Sequence, residues 1–95
     1  MLRANRIYHQ DCFDFLKQVD DASVDLAIVD PPYSLRKDDW DTFGSKEHFF
    51  EFTFGWLDSL IRTLKPTGSL YVFNTPRNSA HILRYLEDQG MEYRN

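Results

Sequence analysis

Cysteine is almost missing from this sequence. Cys12 stands alone among 95 residues, so no disulfide can close within the chain, and a metal site built on paired cysteines is excluded. Long apolar runs are missing too. Nothing approaches the roughly 20 residues that span a bilayer, and the opening Met1-Leu2-Arg3-Ala4-Asn5-Arg6 lacks the apolar centre of a secretion signal. A cytoplasmic protein with no membrane partner is expected. Positive charge is also short, with 11 lysines and arginines against 15 aspartates and glutamates and a net charge of −4. Proteins that neutralise phosphates usually present a basic patch. Charge alone therefore argues against a nucleic-acid partner, and if one is bound, most basic contacts lie outside this chain. No repeat, low-complexity tract or Gly/Ser linker divides the sequence.

What is present suits one globular domain with one core, at 42% hydrophobic and 27% charged residues. Strand-like and helix-like segments alternate, the order of an α/β domain with a largely parallel sheet. Residues 6–10 read as a short first strand. Asp11 stands at an N-cap position, and Cys12, Phe15, Leu16 and Val19 follow at the spacing of one buried helical face. Val24-Asp25-Leu26-Ala27-Ile28-Val29 is a nearly continuous apolar run of the kind buried on both faces of a sheet. Residues 34–44 carry no pattern and read as a loop. Ser45 can cap a helix with a stripe of Phe50, Phe54, Leu57, Ile61 and Leu64, flanked by Phe49, Trp56 and Leu60, which Pro66 and Gly68 stop. Residues 69–73 form the next strand. After Asn74-Thr75-Pro76 a further helix turns Ile82, Leu83 and Leu86 inward and ends at Gly90. Residues 91–95 begin a strand that the sequence does not finish, which suggests a piece of something longer.

The chemistry concentrates in Asp30-Pro31-Pro32-Tyr33. Ligands of open α/β sheets bind outside the carboxyl ends of the strands, where Asp30 falls. A rigid turn with Asp30 as a cap and Tyr33 as packing is the plain alternative. The residue types favour more. An exocyclic amine on an aromatic base is a poor nucleophile because its lone pair is delocalised into the ring. The Asp30 carboxylate and the Pro31 carbonyl can each accept one N–H of such an amine, leaving the lone pair aimed at a methyl donor. Pro31 and Pro32 fix φ, remove backbone donors and leave carbonyls as acceptors. Tyr33 can stack on the base, as in enzymes that act on a flipped nucleotide.

The segment Val24-Asp25-Leu26-Ala27-Ile28-Val29-Asp30-Pro31-Pro32-Tyr33 resembles motif IV of the amino methyltransferases that modify adenine N6 or cytosine N4. Tyr8-His9-Gln10-Asp11-Cys12-Phe13-Asp14-Phe15-Leu16 is similar to the segment preceding it in permuted members, and residues 64–74 to the helix, turn and strand that follow it. The resemblance covers nearly the whole chain. It implies a class I S-adenosylmethionine-dependent methyltransferase fold, Rossmann-like and circularly permuted, with an incomplete sheet in residues 1–95. The catalytic motif near the start points to the β class of DNA adenine N6 methyltransferases, with Asp at position 30 leaning towards adenine. By the same resemblance the catalytic residues are Asp30, Pro31, Pro32 and Tyr33, with Tyr33 on the substrate base. Asp11 and Cys12 contact the adenine of S-adenosyl-L-methionine, and Asp30 its methionine ammonium. Relatives of this type carry Phe-x-Gly-x-Gly, which is missing here, and many have Asn where this chain has Ser34.

The resemblance thus implies an N-terminal portion of the catalytic domain, without its target-recognition region. Its partner is double-stranded DNA with a flipped adenine, and a homodimer or a complementary C-terminal half is possible. The setting is a bacterial-type, nucleoid-associated enzyme of a restriction-modification system. Alone, the 95 residues are expected to be unstable or inactive. A cytosine N4, RNA or protein amide acceptor and a non-catalytic remnant stay open as alternatives. No metal is expected. Asp38, Asp39 and Asp41 read as a solvated loop, His9 lacks further ligands, and Trp40 either covers the cofactor or shields its loop.

Overall fold

The structure is a computed structural model that describes residues 2–34 and 43–94. Its elements run α1 (Cys12–Lys17), β1 (Val24–Val29), α2 (Lys46–Thr63), β2 (Leu64–Val72) and α3 (Pro76–Asp88). The strands pair in parallel, so β1, α2 and β2 form one βαβ unit of the α/β class expected from the alternation.

Each helix begins where a side chain can receive its free amides. Asp11 Oδ1 accepts from the N–H of Phe13 at 2.9 Å and of Asp14 at 3.3 Å. Ser45 Oγ accepts from His48 at 3.0 Å, and Thr75 Oγ1 from Asn78 at 3.2 Å. At the end of α3, Gly90 adopts a φ of 92°. Its N–H then reaches the carbonyl of Glu87 while that of Met91 reaches Leu86, a Schellman closure that needs the left-handed freedom of glycine.

One face of the sheet holds the core. Ala27 and Val29 of β1 and Leu70 and Val72 of β2 pack against Leu16, Trp56, Leu57, Leu60 and Ile82, drawn from all three helices. Fully buried leucines of this kind contribute roughly 1.5–3 kcal/mol each. The opposite face carries Leu26, Ile28, Tyr71 and Phe73, each more than half exposed. The expectation that β1 is covered on both sides is therefore corrected. All three helices lie against one face, and among the described residues nothing covers the other.

The strand expected over residues 6–10 is absent, as is one within residues 91–94. A strand exists only where a neighbour takes its donors and acceptors, and among the described residues neither segment has one. In α1 the buried stripe also differs. Cys12 is exposed, and Phe13 instead turns to α2, its ring edge-on to Phe52 at 5.7 Å and against Gly55. In α2 the buried line is Phe49, Thr53, Trp56, Leu57, Leu60 and Thr63, while Phe50, Phe54 and Ile61 flank it. Thr63 enters the core because its hydroxyl donates to the Leu60 carbonyl at 2.6 Å.

The helix stops at Thr63, earlier than Pro66, and β2 starts at the next residue. Register shifts between Val24↔Leu64 and Leu26↔Ser69, so Lys65-Pro66-Thr67-Gly68 bulges out of the ladder. A Cβ at Gly68 would lie 3.0 Å from the Lys65 carbonyl oxygen and 3.1 Å from that of Val24. Only glycine lets those backbones approach so closely.

Candidate active site

β1 carries Asp30 out past its carboxyl end, and β2 delivers Phe73 and Asn74 beside it. The Phe73 N–H donates to the Val29 carbonyl at 3.0 Å, extending the ladder to the residue before Asp30. The exposed Asp30 carboxylate accepts a hydrogen bond from the Tyr33 hydroxyl. Pro31 and Pro32, half-buried between them, bend the chain so that the ring folds back over the acid. This bond, followed by burial and the negative charge of Asp30, raises the Tyr33 phenol above its ordinary value of 10.0. Ser34 closes the turn with a φ of 62°, a left-handed conformation that asparagine accepts more readily than serine.

Tyr33 and Ser34 border a cleft of about 450 Å³ that lies between the N-terminal ends of α2 and α3. Ser45, Lys46, Phe49 and Phe50 form one wall and Thr75, Arg77 and Asn78 the other, with Phe43 beside them. This volume lies in the range of small-molecule sites. Its described lining carries two cations, Lys46 and Arg77, and no acid, in a chain whose total charge is negative.

The structure therefore brings Asp30 and Tyr33 into contact and fixes the prolines between them. It does not join Asp11 and Cys12 to that group. Both lie exposed at the start of α1, and among the described residues no hydrogen bond or ion pair links them to residues 30–33. Asp11 Oδ1 already serves the helix. Partial burial of the thiol, and then the charge of Asp11, raises Cys12 above its ordinary value. Trp40, Asp38, Asp39 and Asp41 lie outside the described residues. Among the described residues no group of three His, Cys, Asp or Glu side chains gathers to hold a metal, and no helix is long and apolar enough to cross a membrane.

Two residues that matter here were not picked out as site residues in the sequence. Asn78 Nδ2 donates to the Tyr33 carbonyl at 2.8 Å and to Asn74 Oδ1 at 2.9 Å. Asn74 Oδ1 also takes the Thr75 N–H at 2.9 Å, while Asn74 Nδ2 is buried without an acceptor among the described residues. The signal available was weak: two asparagines four apart, astride a proline that starts a helix.

A parallel α/β unit with an acid at the carboxyl end of one strand, followed by two prolines and an aromatic ring beside a cleft, is the arrangement in which open α/β sheets bind ligands. Residues 24–95 match the family described as DNA methylase, covering the N6 and N4 methyltransferases, and the chain belongs to it. Over its whole length it is 50% identical to the type II methyltransferase M1.MboII of Moraxella bovis, of which it covers 36%. With M.BamHI of Bacillus amyloliquefaciens it shares 34% identity over 95% of the chain and 22% of that protein. With M.HpaI of Haemophilus parainfluenzae it shares 35% over 93% of the chain and 29% of that protein. The chain thus spans roughly a fifth to a third of these relatives' lengths.

Proposed function

We propose that this chain is the catalytic-motif portion of an S-adenosylmethionine-dependent DNA methyltransferase, of the β class and permuted class I fold, acting on adenine N6 within a type II restriction-modification system. The observation that carries the reading is the exposed Asp30 carboxylate. It lies at the carboxyl end of a parallel strand, bonded to Tyr33 across two prolines, in a chain of the DNA methylase family.

S-Adenosylmethionine, when bound, supplies an electrophilic methyl group on a sulfonium cation. The residues present fit such a cofactor, because Asp30 offers an exposed negative charge to its ammonium end. In the same reading Asp11 and Cys12 at the head of α1 meet its adenine. Residues beyond this sequence, or a complementary or second chain, hold the glycine-rich part of the site and the region that reads DNA.

Asp30 and the Pro31 carbonyl each accept one N–H of the target amine. This draws its lone pair out of conjugation and towards the methyl group, and alignment then supplies much of the acceleration. Pro31 and Pro32 offer no N–H to compete for those acceptors. The Tyr33 ring stacks on the flipped base once it leaves Asp30, exchanging one contact for the other.

The test is methyl transfer from labelled S-adenosylmethionine to duplex DNA by the full-length protein that carries this chain, with the product identified by mass spectrometry of the nucleosides. N6-methyladenine is expected, with a loss of about 100-fold or more in Asp30→Ala, the scale of removing a group that acts on transition-state charge. N4-methylcytosine would overturn the choice of base. Transfer only to RNA or protein would overturn the substrate, and an active Asp30→Ala the catalytic assignment.

A further inference from the structure

We propose that Asn78 is the positioning residue of this site, fixing the Asp30-Pro31-Pro32-Tyr33 turn from outside so that the Pro31 carbonyl holds its aim; the inference rests on the role of that turn given above. The turn cannot secure itself through its prolines, because neither has an N–H to donate. It is pinned at its two ends. On the strand side the Phe73 N–H holds the Val29 carbonyl, and 45 residues along the chain from Tyr33, Asn78 Nδ2 holds the Tyr33 carbonyl at 2.8 Å. Both pins come from the single corner where β2 passes into α3. With φ of both prolines fixed and both ends held, little freedom remains for the Pro31 carbonyl.

Local structure frees Asn78 for this task. It is the third residue of α3, the position whose side chain reaches back to the N-cap N–H in a capping box. Here Asn74 Oδ1 takes the Thr75 N–H instead, and the Asn78 amide spends one N–H on Asn74 and the other on Tyr33. The orientation is forced. The Tyr33 carbonyl can only accept and the Thr75 N–H can only donate, so a rotated amide at either asparagine would set like groups against each other.

Asn78→Asp separates positioning from folding. The side chain keeps its size, and a carboxylate in the first turn of α3, which has no acidic residue there, favours the helix. Against the Tyr33 carbonyl and Asn74 Oδ1 it has nothing to donate. In the full-length protein Asn78→Asp is expected to melt close to the wild-type temperature, the helix gain offsetting part of the two lost hydrogen bonds, while single-turnover methyl transfer falls about 10- to 100-fold, the scale of a misplacement near 1 Å. The KM for S-adenosylmethionine stays within about threefold, as expected when an interaction specific to the transition state is lost.

Lys46 of α2 and Arg77 of α3 line the same cleft and favour an ionised carboxyl, while Asp30, which is not in that lining, is engaged by the Tyr33 hydroxyl. Acidification then protonates the introduced acid, restores a donor and raises the variant's rate as a ratio to wild type. Unchanged transfer in Asn78→Asp, with Asp30→Ala inactive, overturns the positioning role alone. Rate and melting temperature falling together, with no recovery in acid, overturn it in favour of a merely structural contact. An active Asp30→Ala removes the reading of the turn and this inference with it.

Discussion

Replacing Arg62 with alanine tests how α1 is held. The guanidinium donates to the carbonyl of Leu16 at 2.6 Å and to that of Val19 at 2.9 Å, and it pairs with Asp21. Leu16 lies in the last turn of α1 and Val19 just past its cap, so the guanidinium ties down the end of the helix, adding a charged donor to a Leu16 carbonyl that also accepts from the Val19 N–H at 3.1 Å. Hydrogen bonds from a charged donor contribute about 1.5–3 kcal/mol each when dry. The Arg62 side chain is 38% exposed, so water replaces part of that, and we expect Arg62→Ala to cost about 2 kcal/mol. Asp21 is 77% exposed, and such a pair contributes under about 1 kcal/mol, so Asp21→Ala should cost about 0.5 kcal/mol. Arg62→Lys should recover little, because a single ammonium cannot span two carbonyls and a carboxylate. Equilibrium urea unfolding followed by tryptophan fluorescence gives these values, and hydrogen exchange of the amides of residues 13–19 shows whether α1 loosens first. In about 1 M NaCl, where the Debye length is ~3 Å, the Asp21 cost should vanish while the Arg62 cost persists. Equal costs for Arg62→Ala and Asp21→Ala, both abolished by salt, would refute the carbonyl-clamp account.

Gly68→Ala should destabilise by about 1–3 kcal/mol, since its Cβ meets backbone at 3.0 and 3.1 Å; a urea midpoint matching wild type would show that the bulge can widen freely. Ala22 holds a φ of 48°, so Ala22→Gly should stabilise by about 0.5–1 kcal/mol, read as a rise in melting temperature. The Tyr33 phenol is raised by Asp30, so its contact with the acid is fully present below the ordinary tyrosine value and is lost as pH climbs through the raised one. Absorbance titration near 295 nm, as a difference against Tyr33→Phe, should show this late step moving to lower pH in Asp30→Asn, and no movement would mean that the contact does not form in solution.

Local chemistry made much of the fold legible. The caps Asp11 and Ser45 and the terminator Gly90 each act through their own neighbourhood, and all three perform as read. Residues 6–10 failed because strand formation depends on a partner, which no window of sequence contains. The phase of α2 failed for another reason. Phe49, Phe50, Phe52, Phe54, Trp56 and Leu57 surround the helix, so periodicity could not choose the buried side, and Thr53 and Thr63 were hidden by their polarity. At the site, Asp30 and Tyr33 were visible because they adjoin. Asn78 was not, because its significance lies in a contact 45 residues distant.

No residue separates α2 from β2, and the chain runs out along a helix and reverses through the Lys65-Pro66-Thr67-Gly68 bulge. Eighteen helical residues measure about 27 Å, while the four residues 69–72 that pair with β1 beyond the bulge measure about 13 Å. The helix outreaches the strand, and its first turn meets the residues that follow β2 along the cleft. The reach of α2 thus helps to set how far Ser45 stands from Thr75. Deleting or adding one turn of α2 would move Ser45, Lys46, Phe49 and Phe50 by about 5.4 Å relative to Thr75, Arg77 and Asn78, cutting the opening to a different size.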